Sequence, residues 1–168
     1  AGVIKKFFPS SIVYFLGRSY TEAVISSSLF VDHFINWDKL KDNPQLPPKD
    51  LLGLAISGYI NLMDGGLLKS GAPLSIIDFS RPSSSKRLWI IYLEEGEVLH
   101  HSLVSHGRNS GDLMAKKFSN VNSSFMSSLG FYVTGETYQG KHGYSLRLDG
   151  VEKGFNDNAR ERAIVIHG

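Results

Sequence analysis

An α+β fold is predicted for this chain, with N-terminal helices followed by a β-rich body. Three observations predict it. Apolar residues between Leu52 and Met63 recur at helical spacing. Near Leu74 the texture changes to short apolar runs rich in Ile, Val, Leu and aromatic residues. Gly, Ser and Asn clusters separate those runs, as turns require. The 168 residues suit one unit, and 42% hydrophobic against 20% charged residues supplies one sizeable core.

The opening "AGVIKKFFPSSIVYFLG" pairs two lysines with a short apolar stretch, faintly like a secretion signal. Pro9 and two serines interrupt it, so it reads as an ordinary N-terminal segment. Ser19-Tyr20-Thr21-Glu22 fits a capping box, and the apolar run Ala23 to Phe34 follows as a helix. "NPQLPPKD" is a linker from which Pro48 opens a second helix, with Asp50 at its positive end. Leu52, Ala55, Ile56, Tyr59, Ile60 and Met63 share one face, and Gly65-Gly66 stops the helix. Residues 1–73 are therefore expected as a helical region and 74–168 as the β-rich body. In that body "LSIIDF" reads as a strand and "KRLWIIYLEEGEVLHHSLVSHG" as a hairpin turning near Glu95-Gly96. "LGFYVTG", "YSLRLDG" and "AIVIHG" are three further strands.

A formal charge of +2, with no basic block interleaved with aromatics, argues against a nucleic-acid partner. No run reaches the roughly 18 apolar residues of a membrane span. The absence of cysteine removes disulfides, thiolate metal sites and a cysteine nucleophile from these residues. His100 and His101 are neighbours in a strand and point to opposite faces, and no H-E-x-x-H pair exists, so no metal site is expected. No cofactor is expected either.

Ser83-Ser84-Ser85-Lys86 matches the S-x-x-K nucleophile pattern, and Lys69-Ser70-Gly71 resembles its K-T-G companion. Ser83 falls in a loop after Arg81-Pro82 and S-D-N is missing, so a polar turn is the better reading. Asp149 with Glu152 could be paired carboxylates, but Asp149-Gly150 reads as a turn. "SHGRNSG", Ser105 to Gly111, gathers His, Arg and Asn at a strand end, either as a site or as a cap on the sheet. "TGETYQGKHGYSLRLDG" crowds Tyr138, His142 and Tyr144 between glycines, as a pocket lip would. His167 ends an apolar strand, where an imidazole either accepts a proton near neutral pH or simply terminates the strand.

"SHGRNSG", "SSLGFYVTGETYQGKHGYSLRLDG" and "KGFNDNARERAIVIHG" together resemble the murein L,D-transpeptidase catalytic-domain family, a branch of the YkuD-like enzymes. The resemblance runs from about Leu74 to Gly168 and implies a mixed-sheet body. It implies an enzyme of the bacterial cell envelope, periplasmic or secreted, acting on peptidoglycan stem peptides. In such enzymes a cysteine thiolate displaces a terminal D-alanine to form a thioester. An amine then makes a 3→3 cross-link, or water gives carboxypeptidase activity. The resemblance implies that His167, with Gly168 beside it, supplies the general base. It implies that His106, Arg108, Tyr138, His142 and Tyr144 border the substrate groove. The family's nucleophile lies downstream of the His-Gly pair in a Gly-Cys motif, which this sequence does not contain. The chain as written is therefore expected to be inactive and to represent part of a longer enzyme. A non-catalytic murein-binding module is the alternative.

Overall fold

The computed structural model describes residues 12–16, 35–69 and 71–168. The predicted capping box at Ser19 and the helix expected from Ala23 to Phe34 lie outside the described residues. The fold is mixed α+β. Its frame is one seven-stranded sheet in the order β4-β3-β2-β1-β5-β6-β7. The strands are β1 (Ile12–Leu16), β2 (Leu74–Asp78), β3 (Leu88–Tyr92), β4 (Glu97–Ser102), β5 (Gly130–Gly140), β6 (Gly143–Gly150) and β7 (Val165–His167). Among the described residues two helices, α1 (Trp37–Leu40) and α2 (Lys49–Asp64), fall between β1 and β2.

The first correction concerns β1. It lies within the region expected to be helical, yet it forms the middle of the sheet, parallel to β2 and antiparallel to β5. "IVYFL" is a short apolar run, and such a run carries no periodicity that separates strand from buried helix. Its β-branched and aromatic residues suit a central strand.

The α2 expectation holds closely. Pro48 stands at the N-cap, and Leu52, Ala55, Ile56 and Tyr59 are buried. They pack with Leu74, Ile76, Trp89 and Ile91 on one face of the sheet. The Phe131 ring lies against the backbone of Gly58, so α2 reaches across to β5. Among the described residues no β6 or β7 side chain joins this core. The opposite face buries Val13, Phe15, Ile77, Phe79, Leu88, Ile90, Tyr132 and Leu148. It is roofed by Val104, Ala115 and Phe118 from the segment between β4 and β5, and by Ala159 and Ile164 from the segment before β7.

The β3–β4 hairpin turns at Gly96 as predicted. The β5–β6 pair departs from expectation. "GETYQGKHGYS" reads as a loop by composition, but it forms the outer half of a long hairpin paired to Gly140↔Gly143. Its polar residues hide strands that the register with β6 reveals. Asp149-Gly150 is likewise no turn, because both residues pair with β5.

Two chain reversals use the same hydrogen-bond scheme. After α2, Leu67 N–H donates to Leu62 O and Gly66 N–H donates to Met63 O, both at 2.9 Å. Before β7, Ile164 N–H donates to Ala159 O at 2.9 Å and Ala163 N–H donates to Arg160 O at 3.1 Å. This pairing is the Schellman closure, which places one residue in the left-handed region. Gly66 takes that place at φ +72°, whereas Ala163 takes it at φ +54° and bears the steric cost of a Cβ. Ala163 is exposed, so its methyl gains little packing in return. Ala163→Gly is expected to stabilise the protein by about 0.5–1 kcal/mol and raise Tm by a few degrees, measured by thermal unfolding.

Candidate functional site

α2 stops over β5, so the same face of β6 and β7 is left to polar side chains. Strand alternation decides which ones. Ile164 and Ile166 pack into the opposite core, so His167 projects to the open side. Ser145 pairs with His167, and Tyr138 pairs with Ser145, which sets the three in one cross-strand row. Arg147, paired with Val165, follows on the same face.

Tyr138 reaches this row through a bulge. Thr134 pairs with Leu148 and Thr137 with Leu146, so Gly135 and Glu136 together oppose Arg147. One extra residue reverses the alternation of the outer arm and turns Tyr138 toward His167. At Gly135 a Cβ would sit 2.7 Å from Arg160 Nη2, so a larger residue there would push the tip of the Arg160 side chain aside. Arg160 donates to Glu136 through Nη1 at 2.8 Å and Nη2 at 3.0 Å, and to Asp149 through Nη2 at 2.7 Å and through Nε. Arg147 Nε pairs with Glu136 Oε1 at 3.0 Å, and its guanidinium lies 4.4 Å from the Tyr138 ring centroid. The Arg160 hydrogen bonds hold the Glu136 carboxyl down at about 2. Asp149 first and Glu136 second hold Arg160 above its ordinary value.

At the end of the row, the His167 and His142 rings stack with centroids 4.8 Å apart and planes 19° apart. Both residues are exposed. His167 Nδ1 lies 2.9 Å from Gly168 O. Either neutral tautomer leaves one ring nitrogen with a lone pair to accept a proton. A neutral imidazole so placed can take a proton from a nucleophile.

The structure divides the other predicted residues. Tyr144 shares the alternation of Leu146 and Leu148, and its hydroxyl donates to Thr137 Oγ1 at 3.0 Å on the face away from His167. His106 lies on that far side too, edge-on to Phe79. Its Nδ1 accepts from Arg87 Nη2 at 2.8 Å and its Nε2 donates to Gly111 O at 2.9 Å, so both ring nitrogens serve the scaffold. Arg108 is exposed, with its guanidinium 3.9 Å from the Phe125 ring centroid. The predicted residues thus form two groups: Tyr138, His142 and His167 together, and His106 with Arg108 on the other side. Ser83 lies in a turn segment, not one helical turn from Lys86. His101 stacks on Trp89 while His100 is exposed, as their alternation requires. Among the described residues no group of three or more His, Asp or Glu could hold a metal ion.

Residues that the sequence reading passed over carry the support. Arg162 Nη1 donates to Ser119 O and Ser128 Oγ at 2.6 Å each, and Nη2 donates to Met126 O at 2.6 Å and Ser124 Oγ at 2.9 Å. Asn156, fully buried, donates to Phe131 O at 2.8 Å and accepts from Glu152 N–H at 2.9 Å. Their signal was the density of Asn and Arg in "GFNDNARER", too polar for a core helix and too rich in multivalent donors for a plain loop.

A YkuD-type family model, described as L,D-transpeptidase catalytic domain, matches residues 44–168. No curated protein and no solved structure gives a significant match. The matched segment takes in α2, which shares its core with β2 and β3, so no core boundary falls at residue 73.

Two outcomes follow from this geometry. Arg162→Lys removes the planar fork, and is expected to cost about 2–3 kcal/mol and speed amide exchange across residues 119–128. Glu136 stabilises the fold above its ordinary value of 4.5, and that contribution is lost as pH falls toward about 2. Glu136→Gln should therefore flatten the dependence of Tm on pH across that interval, followed by calorimetry.

Proposed function

The chain belongs to the L,D-transpeptidase catalytic-domain family, and from that premise we propose that it carries the base-bearing part of a peptidoglycan acyl-transfer site. The substrate is a stem tetrapeptide of the bacterial cell envelope, met in the periplasm or outside the cell. A cysteine thiolate attacks the carbonyl before the terminal D-alanine. D-alanine leaves with a proton, and a thioester forms. The amine of a second stem resolves it into a 3→3 cross-link, or water resolves it by hydrolysis.

The observation that carries this reading is the exposed His167 imidazole at the end of a polar shelf, stacked on His142. The unprotonated ring nitrogen of His167 accepts the thiol proton and returns it to the leaving amine. Tyr138 and His142 border the same shelf, beside the groove that a peptide would occupy. His106 and Arg108 contribute through the long segment they order. The chain holds no cysteine, so its 168 residues alone are proposed to be inactive. That same fact favours a second reading, a module that binds murein without reacting with it.

Release of D-alanine from a stem tetrapeptide tests the proposal. A protein joining this segment to a downstream Gly-Cys motif should release it and gain the mass of a carbapenem. His167→Ala should slow release by about 10²–10⁴-fold. The 168-residue chain should release none. Release by that chain, or full activity of the His167 variant, would overturn the reading. Binding to sacculi without a carbapenem adduct would establish the second one.

A further inference from the structure

The reaction needs an imidazole at a fixed angle, yet His167 stands on a three-residue strand at the sheet edge and is exposed. An exposed histidine ring rotates freely unless something packs on its face. Across the plane, the only aromatic ring stacked on it among the described residues is that of His142.

The placement of His142 is built by the fold. It sits in the two-residue turn between the paired Gly140 and Gly143. The arm that carries it is braced on one face by the Tyr144–Thr137 hydrogen bond and on the other by Arg147 over Tyr138. Ser145, the buried middle member of the row, is paired to both Tyr138 and His167 and ties the arm to β7. The hairpin tip and the strand end therefore hold a fixed relation, and the two rings meet through it.

We propose that His142 is a positioning residue: its ring sets the plane of the His167 imidazole and so aims the basic ring nitrogen at the reacting thiol. This inference rests on the reading of His167 as the general base. A small angular error in a proton-transfer group costs rate far more than affinity. Stacking needs an aromatic face but no second imidazole, so a phenyl ring should replace His142 and a methyl group should not.

The first test is NMR of the 168-residue chain. Cross-relaxation between the His142 and His167 ring protons is expected, with the His167 ring protons shifted upfield by the stacked ring. His142→Ala should abolish the upfield shift and His142→Phe should keep it. The second test uses the cysteine-bearing protein. His142→Ala should lower kcat for D-alanine release about tenfold or more with KM little changed, and His142→Phe should recover most of the loss. The proposal is overturned by His167 resonances that ignore His142→Ala, by equal kcat losses in both variants, or by a loss confined to KM, which would make His142 a substrate contact. Full activity of His167→Ala would instead sink the reading of His167 as base, while the ring contact seen by NMR would stand.

Discussion

One guanidinium holds the architecture on which the site depends. Among the described residues Arg162 has no carboxylate partner; its two Nη groups serve two backbone carbonyls and two serine hydroxyls. Its Nε is buried without a hydrogen-bond partner. Burial pulls its proton affinity below the ordinary arginine value, a cost that the four neutral acceptors offset. The return is geometric, because the fork joins the long β4–β5 connection to the short segment that launches β7. Arg87 does similar work at the other end of that connection, donating to Val104 O, Arg81 O and His106. Residues 103–129 contain no helix or strand, and a stretch of that length keeps its shape only when its carbonyls find fixed donors.

The shelf follows from this arrangement by subtraction. One face of the sheet is closed by α2 as far as β5, and the other is closed by the two irregular segments. What remains open is the α2-side face of β6 and β7. Polar side chains can collect there because no apolar core claims the space. The Glu136–Arg160–Asp149 network braces the strands of the shelf and stays partly exposed to solvent.

Much of this was legible in the residues. Helical spacing located α2, and the turn chemistry of Glu95-Gly96 located the β3–β4 hairpin. An apolar run before His167 marked β7. Other features were hidden for physical reasons. "IVYFL" is too short for periodicity to speak, and its partners lie about sixty and more than a hundred residues downstream. The outer arm of β5–β6 is polar on both faces, so it lacks the alternation that betrays a half-buried strand. Tyr144 looked like a companion of Tyr138, but the bulge at Gly135-Glu136 separates their faces, and a bulge leaves no mark in composition. His106 stood out because histidine suggests chemistry, while the fully buried Arg87 that claims it passed unnoticed.

The position of β1 reaches beyond the site. It is made before every other strand described, yet both its neighbours, β2 and β5, are made much later. For most of synthesis it is a strand without a sheet, and long-range pairing of that kind closes slowly. It also precedes residue 44, where the family match begins. A piece cut to that boundary would divide the sheet into β4-β3-β2 and β5-β6-β7, each with a raw inner edge. Edges of that sort invite strands from other molecules. The boundary of recognisable ancestry and the boundary of a foldable body are different lines in this chain.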